Sequence, residues 1–128
     1  MKKAELGAAA LILLAAGCAG GSEPAAAEAG CADVVAAEIA VQGNGFEVSA
    51  TVSSADTGWD KYADAWVVRT PGGEILGTRR LTHPHVDEQP FTRTLGGVQI
   101  PEGIDRVEIA AGDSVVGFCG DAVVIAVP

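Results

Sequence analysis

Both histidines of the chain stand in one six-residue stretch, His83-Pro84-His85-Val86-Asp87-Glu88. In an extended segment, side chains two residues apart point the same way, so the two imidazoles could meet at one ion. Asp87 or Glu88 would then add an oxygen. Two nitrogens and a carboxylate suit Zn²⁺ or Cu²⁺; Cu⁺ lacks a thioether, because the single methionine is Met1. The same residues also read as a plain loop. Pro84 and Pro90 bracket it and limit ladder pairing, its histidines can bond to backbone carbonyls, and Glu88 can pair with Arg93. The two nitrogens alone fall short of the full ligand shell that zinc takes.

A second stretch, Asp56-Thr57-Gly58-Trp59-Asp60, carries carboxylates and an aromatic, with Tyr62 and Asp64 just beyond it. Calcium takes about six to eight oxygens, and the spacing is not that of an EF-hand. Trp59 and Tyr62 are candidates for a partner surface, since tryptophan and tyrosine anchor interfaces; packing on an edge is the alternative. Catalytic signatures are missing. There is no G-x-S-x-G, no H-E-x-x-H and no phosphate-cradling glycine loop that opens a helix. Without a nucleophile beside a base, the chain is not expected to be an enzyme.

The ends of the chain set its compartment. Lys2 and Lys3 precede a short apolar run from Leu6 to Ala16. That order is an export signal. A spanning helix needs about 20 apolar residues, and Gly17, Gly20 and Gly21 close this run early. The run ends in Leu14-Ala15-Ala16-Gly17-Cys18, which resembles the lipobox of bacterial lipoproteins, although Ala15 stands where leucine is usual. The resemblance implies a leader of residues 1–17, a diacylglycerol on Cys18 and a further acyl chain on its amine. Two or more chains hold a protein stably at a membrane. It also implies, in a Gram-negative cell, an outer-membrane location facing the periplasm, because Ala19 replaces the aspartate that favours inner-membrane retention.

Removal of Lys2, Lys3 and Glu5 with such a leader takes the formal net charge from −9 to −10. That surface repels nucleic-acid phosphates and is not drawn to anionic lipid heads, so membrane attachment falls to the acyl chains. Residues 18–30, rich in Ala, Gly, Ser, Glu and Pro, read as the lipidated cysteine and a spacer. Cys31 and Cys119 then remain as an even pair in an oxidising compartment, which predicts a disulfide. They lack C-x-x-C spacing and have few partners for a metal.

The elements that must position these residues are strands. Phe46, Val48, Ala50 and Val52 alternate with polar residues, and before them Val35, Ala37, Ile39 and Val41 alternate with Ala36, Glu38 and Ala40. Asn44-Gly45 between the runs signals a tight hairpin. Further strands are expected over 62–70, 74–81, 91–100, about 107–111 and 115–127. In the fifth, inward parity switches between Leu95 and Val98, and Gly96-Gly97 marks a bulge. Seven short strands with hairpin turns predict an all-β antiparallel sandwich over 31–128, with a barrel as the alternative. Strand number and Trp66 in the third strand resemble an immunoglobulin-like or fibronectin-type sandwich. Here, however, the disulfide would tie the outermost strands. His83-Pro84-His85 followed by Glu88-Gln89-Pro90-Phe91-Thr92-Arg93 is similar to a stretch in small uncharacterised bacterial envelope proteins. The expectation is a membrane-anchored binding or structural module with an envelope protein or glycan as partner. A Zn²⁺- or Cu²⁺-binding protein is the alternative.

Overall fold

The computed structural model describes residues 30–128. The leader, Cys18 and all but the last residue of the spacer lie outside the described residues. Seven strands run in chain order: β1 Asp33–Gln42, β2 Gly45–Ser53, β3 Ala63–Arg69, β4 Ile75–Arg80, β5 Phe91–Val98, β6 Arg106–Asp113 and β7 Val123–Ala126. There is no helix among the described residues. A three-stranded sheet, β1-β2-β5, faces a four-stranded sheet, β4-β3-β6-β7, and every pairing is antiparallel. The described residues form an all-β sandwich.

The core follows from alternation. Val48, Ala50 and Val52 of β2 point inward and meet Trp66 and Val68 of β3, Phe91 of β5, and Val107, Ile109 and Ala111 of β6. Period-two burial of this kind is what drives one face of each sheet out of water. Trp66 is fully buried at the centre.

Two bulges adjust the three-stranded sheet. In β5 the register shifts where Phe46 pairs with Val98 but Val48 pairs with Leu95, and Gly97 takes a left-handed φ of +68°. The parity switch therefore falls at Gly96-Gly97, as its sequence predicts. In β1 the shift falls between Val34 and Ala36. Val34 is buried there, and Val35, the extra residue, is looped outward and 54% exposed. The expectation that Val35 and Val41 share an inward face with Ala37 and Ile39 is corrected: the bulge turns Val35 out, and Val41 beside the hairpin is exposed.

Two further expectations change. The β1–β2 turn is Gly43-Asn44, with Gln42 paired to Gly45 and Gly43 at φ +57°. Gly45 instead begins β2, at a position where a Cβ would press to within 2.7 Å of the Val98 carbonyl oxygen. The last strand is only Val123–Ala126; residues 115–122 form a loop. The valines at 115 and 116 suggest strand, but Gly117 at φ +76° turns the chain back.

Cys31 and Cys119 form a disulfide, with their Cα atoms 5.4 Å apart. It joins the residues just before β1 to the loop before β7. The Val34 N–H donates to the Asp121 carbonyl at 2.9 Å, and the Asp121 N–H donates to Asp33 Oδ1 at 2.7 Å. The start of edge strand β1 is thereby tied to the opposite sheet.

Candidate functional site

Antiparallel order brings four segments to one end of the sandwich: the start at Gly30, the β2–β3 loop, the β4–β5 loop and the β6–β7 loop. Trp59, Tyr62, His83, His85, Asp87, Glu88, Cys31 and Cys119 all lie in these segments. The residues that the sequence marks for chemistry or contact are thus gathered at the end where the chain enters the domain.

Lys61 braces that end. Its Nζ donates to Asp113 Oδ1 at 2.6 Å and to the Gly30 carbonyl at 2.7 Å. Asp113 Oδ2 accepts the backbone N–H groups of Val115 at 2.9 Å and Val116 at 3.1 Å. Burial alone would raise the Asp113 carboxyl. The Lys61 ammonium and the two N–H donors outweigh that effect and hold it below the ordinary carboxylate value. One ion pair so links the entering chain, the β2–β3 loop and the β6–β7 loop.

Two tight turns project from this brace. Gly58 bridges to Lys61, which puts Trp59 and Asp60 at one apex. Asp113 bridges to Gly117, which puts Ser114, Val115 and Val116 at the other. The turns adjoin: Tyr62 and Ser114 exchange hydrogen bonds, from the Ser114 N–H to the Tyr62 carbonyl at 2.8 Å and from the Tyr62 N–H to Ser114 Oγ at 3.1 Å. The Trp59 ring packs edge-on against Tyr62, with centroids 5.6 Å apart. Even so, Trp59 is 68% exposed and Val115 62% exposed, and Phe118 nearby is also open to solvent.

Between Trp59 and the β4–β5 loop lies an open cleft of about 570 Å³, lined by Gly58, Trp59 and the whole stretch His83 to Glu88. The two stretches singled out in the sequence are therefore its opposite walls. Asp56 sets the wall positions. Its Oδ1 accepts the Ala63 N–H at 2.9 Å and its Oδ2 the His85 N–H at 2.8 Å, so this carboxylate is engaged by backbone donors. The Gln89 amide fixes the loop from behind. It donates to the His85 carbonyl at 2.8 Å and to Ser54 Oγ at 3.1 Å, and accepts the Ser54 N–H at 2.9 Å.

His85 is a packing residue. Only 4% of it is exposed, and its ring stacks on Phe91 at 3.8 Å. Arg93 Nη2 lies 3.0 Å from His85 Nε2. A guanidinium can only donate, so Nε2 accepts and the ring proton sits on Nδ1, which is buried without a partner. Burial, then the neighbouring His83 and Arg93, push His85 below the ordinary histidine value, against the opposing pull of Glu88 and Asp56. The ring is neutral at pH 7.

The stretch His83, His85, Asp87 and Glu88, the metal candidate of the sequence, forms one wall of this cleft. The two rings lie side by side, with centroids 4.5 Å apart. One nitrogen of each ring has a separate partner: His83 Nδ1 lies 3.0 Å from the Pro84 carbonyl oxygen, and His85 Nε2 lies 3.0 Å from Arg93 Nη2. Glu88 turns to Arg93 at 3.3 Å. Among the described residues, no group of three or more His, Cys, Asp or Glu could hold a metal ion. What the sequence did not reveal is the Lys61–Asp113 brace and the apolar apex at Val115-Val116. The one available signal was Asp113-Ser114-Val115-Val116-Gly117, a three-residue insert between a turn-forming aspartate and glycine.

A protein of Halomicrobium mukohataei named "Putative lipoprotein" is 40% identical to this chain over 83 residues, covering 65% of this chain and 40% of the relative. The chain thus spans well under half the length of that relative. No protein-family model matches the chain, and no solved structure matches it.

Proposed function

We propose that the chain is a lipid-anchored cell-envelope protein whose β-sandwich is a non-enzymatic binding module, with the end at Gly30 as its contact surface. The leader-like start, Cys18 in its lipobox-like setting and a relative named for the same class support the anchor. The three-on-four strand order and buried Trp66 support an immunoglobulin-like or fibronectin-type reading of the domain. Ala19 supports the outer membrane, facing the periplasm, where the cell has one.

The observation that carries the binding role is Trp59, two-thirds exposed on the rim of the cleft. Keeping a tryptophan in water forgoes roughly 2–3 kcal/mol of burial, and aromatic residues so placed are common contact anchors. The cleft offers an aromatic face, imidazole and carboxylates without a nucleophile beside a base, which supports binding over catalysis. The test has two parts. Labelled palmitate should enter the wild-type chain and not Cys18→Ser. A photo-crosslinking residue in place of Trp59 should capture an envelope component in cells, while the same residue at Asn44, at the far hairpin, should not. Equal labelling of the two proteins would remove the anchor, and equal capture at both positions would remove the contact surface.

A further inference from the structure

Turn apices are ordinarily Gly, Asn, Asp or Ser. Here the apices of two adjoining turns add Trp59 to Asp60 and Val115 and Val116 to Ser114, with Tyr62 packed on Trp59 and the exposed Phe118 just past the second turn. We propose that these apices rest in the interfacial layer of a zwitterionic bilayer, so that the lipid surface itself is what the contact face meets. The inference rests on the lipid anchor proposed above.

Three features of the molecule support it. The first is where the chain enters. The Gly30 carbonyl is held by Lys61, the residue that closes the Trp59 turn, so the chain leading back to Cys18 starts beside the apices. The intervening peptide units span at most about 40 Å when fully extended. The apices thus lie at the tethered end of the domain, within reach of the membrane. Because anchoring makes contact intramolecular, a modest apolar tip suffices to keep them there.

The second is rigidity. Both apices are braced by the Lys61–Asp113 pair, and the Asp113 carboxylate is fully enclosed. It spends its second oxygen on the Val115 and Val116 N–H groups. With those donors satisfied inside the protein, the β6–β7 apex offers side chains to the lipid with two fewer bare backbone groups, as the bilayer requires. The third is chemistry. Tryptophan and tyrosine suit the headgroup level, where one edge of the ring is apolar and the other wet. Asp60 shares the Trp59 turn, Asp87 and Glu88 line the cleft beside Trp59, and the mature chain would carry a formal charge of −10. That selects a neutral headgroup over an anionic one. A second copy of this chain would meet the same like charges.

The chain has two tryptophans, and Trp66 is fully buried in the core, so the emission difference between wild type and Trp59→Phe reports Trp59 alone. The acylated protein, its acyl mass verified, is placed in phosphatidylcholine vesicles carrying brominated lipids. The inference expects Trp59 emission to shift to the blue and to be quenched by the bromines. Val115→Asp/Val116→Asp, an exposed double change that leaves the core intact, should abolish the quenching. On phosphatidylglycerol vesicles the quenching should weaken at low salt and recover as salt screens the charge. An acylated protein whose Trp59 stays water-exposed and unquenched overturns the inference and leaves the anchor standing. A protein without acyl chains overturns both. Trp59 protection that rises with protein density in unbrominated vesicles, or a specific protein crosslink at Trp59 that excludes lipid, also overturns it.

Discussion

Asp113 has its carboxylate enclosed and ionised at once, and that combination makes the brace sensitive to single changes. Asp113→Asn keeps the size but removes the charge facing Lys61. Breaking a buried pair from one side commonly costs about 3–5 kcal/mol. Lys61 retains some contact with water, so we expect about 2–3 kcal/mol here, read from the urea midpoint. The pH dependence has a definite sign. The folded pKa of Asp113 lies below its unfolded value, so its contribution is complete above about pH 4 and is lost as pH falls through the folded pKa. His85 acts in the same direction over a higher window. Its folded pKa is also depressed, so the neutral ring stabilises the fold fully above about pH 6.5, and that stability is lost as pH falls through the folded value. Urea midpoints measured against pH should therefore drop below about pH 6.5 in the wild type. His85→Gln, less stable at neutral pH through loss of the Phe91 stack, should show a flatter profile in that window. A wild-type profile that is flat down to pH 4, or one that H85Q shares unchanged, would contradict the burial of a neutral imidazole.

At the scale of elements, the legible parts of this fold were those set by local chemistry. The alternation of β2 is strict in the sequence, and its inward face is the observed one. The β5 bulge was legible because Gly96-Gly97 sits where parity changes. What escaped was decided by contacts distant in sequence. No local signal marks Val35 as the extra residue of a bulge; Val34 is buried because it pairs with Val52 while its N–H reaches Asp121. In sequence the β6–β7 loop resembles a strand because valines favour strands. Its turn depends on the Asp113 carboxylate capturing two N–H groups, and on Lys61 arriving from another loop. At the candidate site, the loop bracketed by Pro84 and Pro90 is legible in the sequence, but the Arg93 guanidinium that lies against His85 Nε2 comes from β5. Gly120 gives the sharpest test of how tightly these loops are seated. A Cβ there would collide with the Ala32 carbonyl and come within 2.5 Å of Asp33 Oδ1, so Gly120→Ala must push β1 and the β6–β7 loop apart. We expect a loss of about 2–3 kcal/mol, with the urea midpoint as the measure. Gly73→Ala is the comparison: it is strained by a φ of +100° but meets nothing within 4 Å, and should cost about 1–2 kcal/mol. Equal losses at the two sites would mean that the contact between β1 and the loop has slack.

For the molecule as a whole, the location of the Cys31–Cys119 bond matters as much as its presence. Gly30, where the chain enters, adjoins Cys31, and β1 is an edge strand with one neighbour. In an anchored protein, any pull from the membrane would fall first on the start of β1 and could peel it from β2. The disulfide passes that load to the loop before β7, in the other sheet. It also closes a long loop, the cysteines standing 88 positions apart in sequence, and in the chain-entropy treatment such a link lowers the freedom of the unfolded chain by about 4–5 kcal/mol. A domain of this size has a total stability of about 5–15 kcal/mol, so Cys31→Ala/Cys119→Ala should remain folded in water but lose about 3–5 kcal/mol, with a lower urea midpoint. The loss should also be local. The Val34 N–H, held to the Asp121 carbonyl across the two sheets, should exchange with solvent much faster than the amides of β3 at the centre of the four-stranded sheet. If Val34 and β3 exchanged together in the double variant, the sandwich would be opening as one unit, and the bond would act on the unfolded chain alone rather than as a clasp at the entry of the tether.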